Sequence, residues 1–508
     1  MSDASVAAAL RSSVRLVVVE APAGCGKTFQ GAQYARESSE SIGDGRVLIL
    51  AHTHAAVDVF ASRTREAGRR VDIRTIDSLI GEIAGIYHQA LGLPADTGAW
   101  AQSQKDGYSQ LAAKVAALLR ASPMIGRSLA QRYPIVICDE HQDASTDQHV
   151  IGIACLRGGA SVRLFGDPMQ RIFVSRKKTE IEADEHRWND LTLEANTFDK
   201  LDVPHRWLNG SEQLGRWILK AREVLRSGGQ VDLRAPLPQG LSVFIAENRS
   251  PNPHGSYQVM GVDRKPIDAL VETANSILIL AAQNETVNAL RAFFARRLPI
   301  WEGHMRESLA TLVHEVQTHK GNGSHTAQAV VTFLGNVATG FSPSAFGNSL
   351  LAEVRSGCVA NRRGKPAILQ VLGKMILDQP DHKGVAKMLR RLSELKDSDP
   401  AFSGVKLDYH SEFWDAVRLG DFDDPSEGFA QITHRRNYSR PKVPSKAIST
   451  IHKAKGLECD NVMIMPCDAQ HFANNRAARC RLYVAMSRAR RSLTFIVSHQ
   501  NPSPLIVF

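Results

Sequence analysis

Apolar residues along this chain fall into short unbroken runs separated by longer stretches of helical spacing, and that rhythm predicts layered α/β structure. Residues 15–20 (RLVVVE) are apolar and largely β-branched, the pattern of a buried strand; residues 21–26 break it, and a helical stretch follows. The theme repeats with a strand over 47–50, helical spacing over 55–65 and a short strand over 71–73. Residues 79–132 are helical in pattern, most clearly in QLAAKVAALLR. Two further buried strands are predicted over 134–138 and 162–165, leading into the polar runs DEHQD and GDPMQ. Three strands therefore deliver polar residues at their carboxyl ends, where open parallel sheets bind ligands.

A second α/β region begins near residue 241, where SVFIAE and SILILAAQNETVNALRAFF alternate strand and helix. Residues 301–445 are of mixed helical character and carry no recognisable chemistry; charged stretches there, such as KMLRRLSELK, read as the solvated faces of amphipathic helices. Strands return over 447–451, 461–465 and 492–497. The expected fold class is α/β, with two lobes built on parallel sheets, each carrying a mostly helical insertion. Lobe 1 comprises 1–78 and 132–240 with its insertion over 79–131; lobe 2 comprises 241–300 and 446–508 with its insertion over 301–445.

Composition narrows the picture only modestly. With 43% hydrophobic and 22% charged residues over 508 positions, disorder is not the default. A net charge of +10 favours polyanionic partners without requiring them. The seven cysteines are scattered and form no CxxC pair, which argues against a disulfide framework or a zinc site and fits a reducing cytoplasm. The N-terminal apolar run leads into a glycine-rich loop instead of a cleavage site, and no run approaches about 20 apolar residues, so neither an export signal nor a membrane span is expected.

The chemistry is concentrated at the strand ends. Ala23, Gly24, Cys25, Gly26, Lys27 and Thr28 lie between a strand and a helix, the context in which a glycine-rich loop cradles phosphates. Lys27 is placed to reach the β and γ phosphates, and the Thr28 hydroxyl to ligate magnesium. Hydrolysis also needs carboxylates on a neighbouring strand. Asp139 is assigned to the metal and Glu140 to activating water. Gln170, a neutral donor and acceptor, suits γ-phosphate sensing or water orientation.

Read in order, APAGCGKT, LAHTHAAVDVFASR, IRTIDSL, VICDEHQDAS, LFGDPMQRIF, PHRWLN, STIHKAKGLECDNVMI and RLYVAMSRAR resemble the motif series of UvrD/Rep-type superfamily 1 helicases. The resemblance covers both lobes, and its most specific portion is the pairing of HKAKGLE with VAMSRAR. It implies two RecA-like lobes, ATP with Mg2+ at their seam, and 3′ to 5′ movement on single-stranded or partly duplex DNA. Arg488 resembles the arginine finger reaching from lobe 2 to the γ-phosphate, Arg206 the second phosphate-sensing arginine, and Gly456 with Glu458 the segment coupling nucleotide to DNA. Thr53, His54, Arg63, Thr75 and His452 match backbone-contacting positions, which hold phosphates without reading sequence; His52 and Phe173 match base-stacking ones. For Phe173 a plain core role is the alternative.

The chain departs from the family in three places. No glutamine precedes Val14 to read adenine, His205 replaces the tyrosine that packs on the base, and Ser175 stands where a wedging tryptophan is usual. Nucleotide selectivity and strand separation are thus less secured than hydrolysis. The short insertions resemble compact forms such as the helicase subunit of the Gabija anti-phage defence system, which implies a separate nuclease as partner. The rival from another class is a DNA-binding regulatory subunit that uses nucleotide as a switch and does not move.

Overall fold

A computed structural model describes residues 2–104, 106–173, 178–234, 236–246, 248–249, 258–259, 261–301, 306–341, 343–438 and 444–508. The chain divides into two compact units, Met1–Arg297 with Ser445–Phe508, and Leu298–Pro444.

Among the described residues the first unit holds two large parallel sheets. In lobe 1, β1 (Leu16–Glu20), β2 (Val47–Ala51), β3 (Val71–Thr75), β4 (Ile135–Cys138), β5 (Ser161–Gly166) and β6 (Thr197–Lys200) lie in the order β3-β2-β4-β5-β1-β6. Every neighbouring pair is parallel. Period-two alternation divides their side chains between two cores. Val17 and Val19 of β1 face a core with Val6, Leu10, Ala35 and Phe60, contributed by α1 (Ser2–Arg11), α2 (Lys27–Ser41) and α3 (His54–Arg63). Leu16 and Val18 face the opposite core. There they meet Ile80 and Ile83 of α4 (Ile76–Ile86), Val115 and Leu119 of α6 (Gly107–Ala121), and Ile151 of α8 (Thr146–Gly158). The helical stretch after β3, which also includes α5 (Thr97–Ser103) and α7 (Pro123–Arg132), thus shares a core with the sheet.

Two elements of lobe 1 escape the sequence pattern. The edge strand β6 reads TFDK, three of its four residues polar and none of them buried, yet it pairs with β1 from Val17↔Thr197 to Glu20↔Lys200. Helix α1 buries only Val6 and Leu10 among its ten residues, too sparse a stripe to reveal itself.

In lobe 2, β7 (Leu241–Ala246), β8 (Ile277–Ala281), β9 (Lys446–Thr450), β10 (Cys459–Cys467) and β11 (Ala489–Ser498) form a second parallel sheet in the order β9-β8-β10-β11-β7. The helix Arg476–Met486 connects β10 to β11 and buries most of its length. All seven cysteines are free.

The second unit is mostly helical, with long helices over Gly323–Val337, Lys365–Asp378, His382–Ser398 and Pro425–Tyr438. In the third of these Met388, Leu389, Leu392 and Leu395 are buried while Arg390, Arg391 and Glu394 are exposed, the division expected of an amphipathic helix. Arg306 and Asp415 form a buried ion pair at 3.0 Å. No described helix in the chain is long and apolar enough to cross a membrane.

Candidate active site

The carboxyl ends of β1, β4 and β5 converge on one edge of the lobe 1 sheet. After β1 the chain turns through Gly24 (φ 76°) and Gly26 (φ 84°), both left-handed and therefore suited to glycine, and α2 begins at Lys27. The turn is tied down by Ala21 N–H donating to Gly166 O (2.8 Å) and Cys25 N–H to Pro22 O (3.2 Å). It is also packed: a Cβ at Gly24 would lie 2.7 Å from Arg206 Cβ and 2.9 Å from Trp207 Cζ3, and one at Gly26 would lie 3.0 Å from His205 Cδ2. Residues 205–207 thus sit directly on the loop, and Arg206 N–H donates to Gly24 O at 3.0 Å.

Lys27 is ion-paired with Glu140 and lies 3.4 Å from Asp139 Oδ1. Successive strand residues point to opposite faces, so two adjacent carboxylates would not ordinarily meet one ammonium. Here Glu140 takes a left-handed conformation (φ 50°, ψ 40°), uncommon for a residue with a side chain, and turns the chain at the strand end. Gln142 Nε2 donates to Glu140 Oε2 (2.6 Å), while Gln142 Oε1 accepts from Asp167 N–H (3.0 Å), joining the ends of β4 and β5. Gln170 is buried and donates to Asp167 Oδ2 at 3.1 Å.

The electrostatics follow from burial against close charge. Burial disfavours the Lys27 ammonium, but Asp139 and Glu140 outweigh it and hold the group above its ordinary range. Burial raises Asp139 to about 6 despite Lys27. For Glu140, burial is overcome by Lys27 and Lys455, which keep it below the usual carboxylate range. Asp139 Oδ1 is buried and its cationic partner is the Lys27 ammonium at 3.4 Å, a charge that a bound cation could replace. The Thr28 hydroxyl, at the start of α2 beside Lys27, and the Asp139 carboxylate are hard oxygen donors of the kind magnesium takes.

From lobe 2, Glu458 Oε1 pairs with Arg206 Nη2 at 2.8 Å, and Arg206 also donates to Ser487 O. Arg488 is buried; its Nε donates to Val484 O (3.0 Å), Nη1 to Leu457 O (3.3 Å) and Nη2 to Ser487 Oγ (2.7 Å). Burial, then the neighbouring Arg206, lowers its pKa to about 10. Its hydrogen bonds are thus with its own lobe. Gly456 adopts φ 87° with open space around it.

The remaining positions lie along the sheet edge or across from it. Thr53 and Thr75 cap α3 and α4, accepting from Ala56 N–H (3.2 Å) and Ser78 N–H (3.1 Å), and each hydroxyl keeps its proton to donate. Arg63 is exposed at the end of α3. His54 opens that helix, its side chain outside the described part of the structure, as is all of Ser175. His52 is half-buried, its pKa lowered chiefly by burial. Phe173 is 47% exposed and faces the His452 ring across 5.9 Å, so the core alternative does not hold for it. His452 Nε2 lies 3.1 Å from Ile172 O. His205 pairs with Asp3 of α1 at 2.7 Å.

Sequence reasoning passed over several groups. Lys455, in the HKAKGLE segment, bridges the lobes by pairing with Asp143 and donating to Gln170 O at 2.7 Å. Arg222 of α9 (Glu212–Arg226) is fully buried between Asp167 (2.7 Å) and Glu20 (2.8 Å). Tyr483 accepts Ala23 N–H at 2.9 Å. Lys455 lay within a recognised motif; Arg222 looked like one more basic residue on an amphipathic helix.

Strand, phosphate loop and paired carboxylates on a parallel sheet define a P-loop nucleotide-binding enzyme. Residues 3–194 match the family model described as an AAA domain, and residues 447–496 match the UvrD-like helicase C-terminal domain. No curated protein matches the chain. With the fold, the two matches support an ATP-hydrolysing P-loop enzyme of the UvrD/Rep helicase type.

Proposed function

We propose that the chain is a DNA-stimulated ATPase that moves 3′ to 5′ along single-stranded DNA, working with a separate nuclease in anti-phage defence or in DNA repair. The observation that carries the motor reading is the engagement of Lys27 by Asp139 and Glu140 beside a seam at which Arg206, Glu458 and Lys455 join the two lobes. An ammonium so placed is positioned to exchange its carboxylate partners for the β and γ phosphates of ATP. Glu140, kept ionised by its cationic neighbours, is then available to take a proton from the attacking water. Thr28 and Asp139 would hold magnesium, which neutralises charge developing on the phosphates. Arg206 and Arg488 would stabilise that same charge, Arg488 after leaving its present carbonyl partners as the lobes close. Closing and reopening would alternate the grip of Thr53, His54, Arg63, Thr75 and His452 on DNA phosphates, with His52 and Phe173 stacking on bases.

Stopped-flow translocation on end-labelled single strands tests this. Arrival times that lengthen with strand length, in the 3′ to 5′ direction only, are the expected result. Strand-dependent ATP turnover without such movement would instead favour the nucleotide-switch subunit.

A further inference from the structure

We infer that Tyr483 is a positioning residue for the phosphate loop, holding the Ala23 amide from lobe 2 so that displacement of one lobe against the other is transmitted to the loop backbone. Tyr483 lies on the helix Arg476–Met486, is fully buried, and its hydroxyl accepts from Ala23 N–H at 2.9 Å across 460 residues of sequence. The other backbone ties described at the turn come from lobe 1: Ala21 N–H to Gly166 O, Cys25 N–H to Pro22 O and Arg206 N–H to Gly24 O. Tyr483 is itself braced. The Arg222 guanidinium stands 5.8 Å from its ring centre, fixed by Asp167 at the end of β5 and by Glu20 at the end of β1. A second aromatic acts in parallel: Trp207 covers Gly24 and donates through Nε1 to Ala489 O of β11 at 2.7 Å.

The physical consequence lies in the cost of an unpaired buried amide. If the lobes separate, Ala23 N–H loses the acceptor that pairs it in this buried position, so the loop must rearrange or take up water, or the separation is resisted. Burial keeps the phenol protonated, so the tie stays neutral and persists across the pH range in which ATP is hydrolysed.

The inference rests on reading residues 21–28 as a nucleotide site, and hydrogen exchange separates its failure from the failure of that reading. In full-length Tyr483→Phe, exchange at the Ala23 amide should quicken at least tenfold while peptides from β2 and β3 keep the wild-type rate. AMP-PNP should bind about five- to tenfold more weakly, as expected for one lost buried hydrogen bond, and the KM for ATP should rise by a similar factor. Should that variant prove insoluble, the wild-type protein carries the test: AMP-PNP with oligo(dT) should slow exchange at Ala23. Exchange at Ala23 and KM both within twofold of wild type in the variant, or no response at Ala23 to those ligands, would overturn the inference. Wild-type protein that does not bind AMP-PNP would refute the nucleotide site, while the variant's exchange rate would still report on the hydroxyl.

Discussion

At the scale of single residues the proposed mechanism assigns the chemistry to Lys27, Glu140 and Arg488, and each assignment carries a prediction. Lys27→Ala removes the phosphate-facing cation, and Glu140→Gln keeps the shape while removing the base. Glu140→Gln should reduce DNA-stimulated ATP turnover by about 10² to 10⁴, the range for general acid–base catalysis, and Lys27→Ala by about 10² to 10³, as for loss of one charge-stabilising donor, with the far-ultraviolet circular dichroism unchanged. Wild-type turnover in both would show that the assigned roles are wrong. Arg488→Ala should lower kcat by about 10³ or more if the guanidinium leaves Val484 O and Leu457 O for the γ-phosphate. An effect confined to thermal stability would mean that this arginine only braces lobe 2.

Elements deliver these residues through their ends, so their caps and ties should be measurable. Thr75 closes β3 and caps α4, and Thr75→Ala should cost about 1 kcal/mol in chemical denaturation, whereas Thr75→Ser should restore most of it. The strand is also tied to α4 and α7 through Asp72, Arg74, Glu82, Arg132 and Tyr133. Burial works against the Asp72 and Glu82 carboxylates, but hydrogen bonds from Tyr133, Arg74 and Arg132 hold both below their ordinary values. Acids with depressed folded-state values stabilise fully above their unfolded values and lose that contribution as pH falls. Denaturation midpoints of wild type should therefore drop more steeply below about pH 4.5 than those of Asp72→Asn/Glu82→Gln, because the double variant has nothing left to titrate there. Parallel slopes would remove these groups from the stability account.

Across the whole first unit, the seam depends on buried charge. Arg222 is enclosed by Asp167 and Glu20, so Asp167→Asn should destabilise by about 3 to 5 kcal/mol, because removing one partner leaves a buried charge undercompensated. Urea unfolding would measure it, and a change under 1 kcal/mol would indicate that water reaches the site. DNA contacts act on the same scale through the net charge of +10. If the phosphate-facing positions are right, affinity for oligo(dT) should fall linearly with the logarithm of salt, and Arg63→Ala should flatten the slope by about 0.7 for the single lost contact. An unchanged slope would take Arg63 out of the interface.

Much of the architecture was legible because it follows from local rules. Unbroken apolar runs mark buried strands wherever they lie, and a glycine-rich turn between strand and helix marks a phosphate loop, since few other residues tolerate its backbone. The strands over residues 47–50, 134–138 and 162–165 and the Lys27, Asp139 and Glu140 set could be read in that way. The edge strand β6 and the helix α1 could not, because their burial is too slight to leave a pattern. Nor could the left-handed turn at Glu140, the retreat of Arg488 to its own carbonyls, or the bond from Ala23 to Tyr483. Those depend on which groups meet across hundreds of residues, and a contact between distant segments imposes no periodicity on either one.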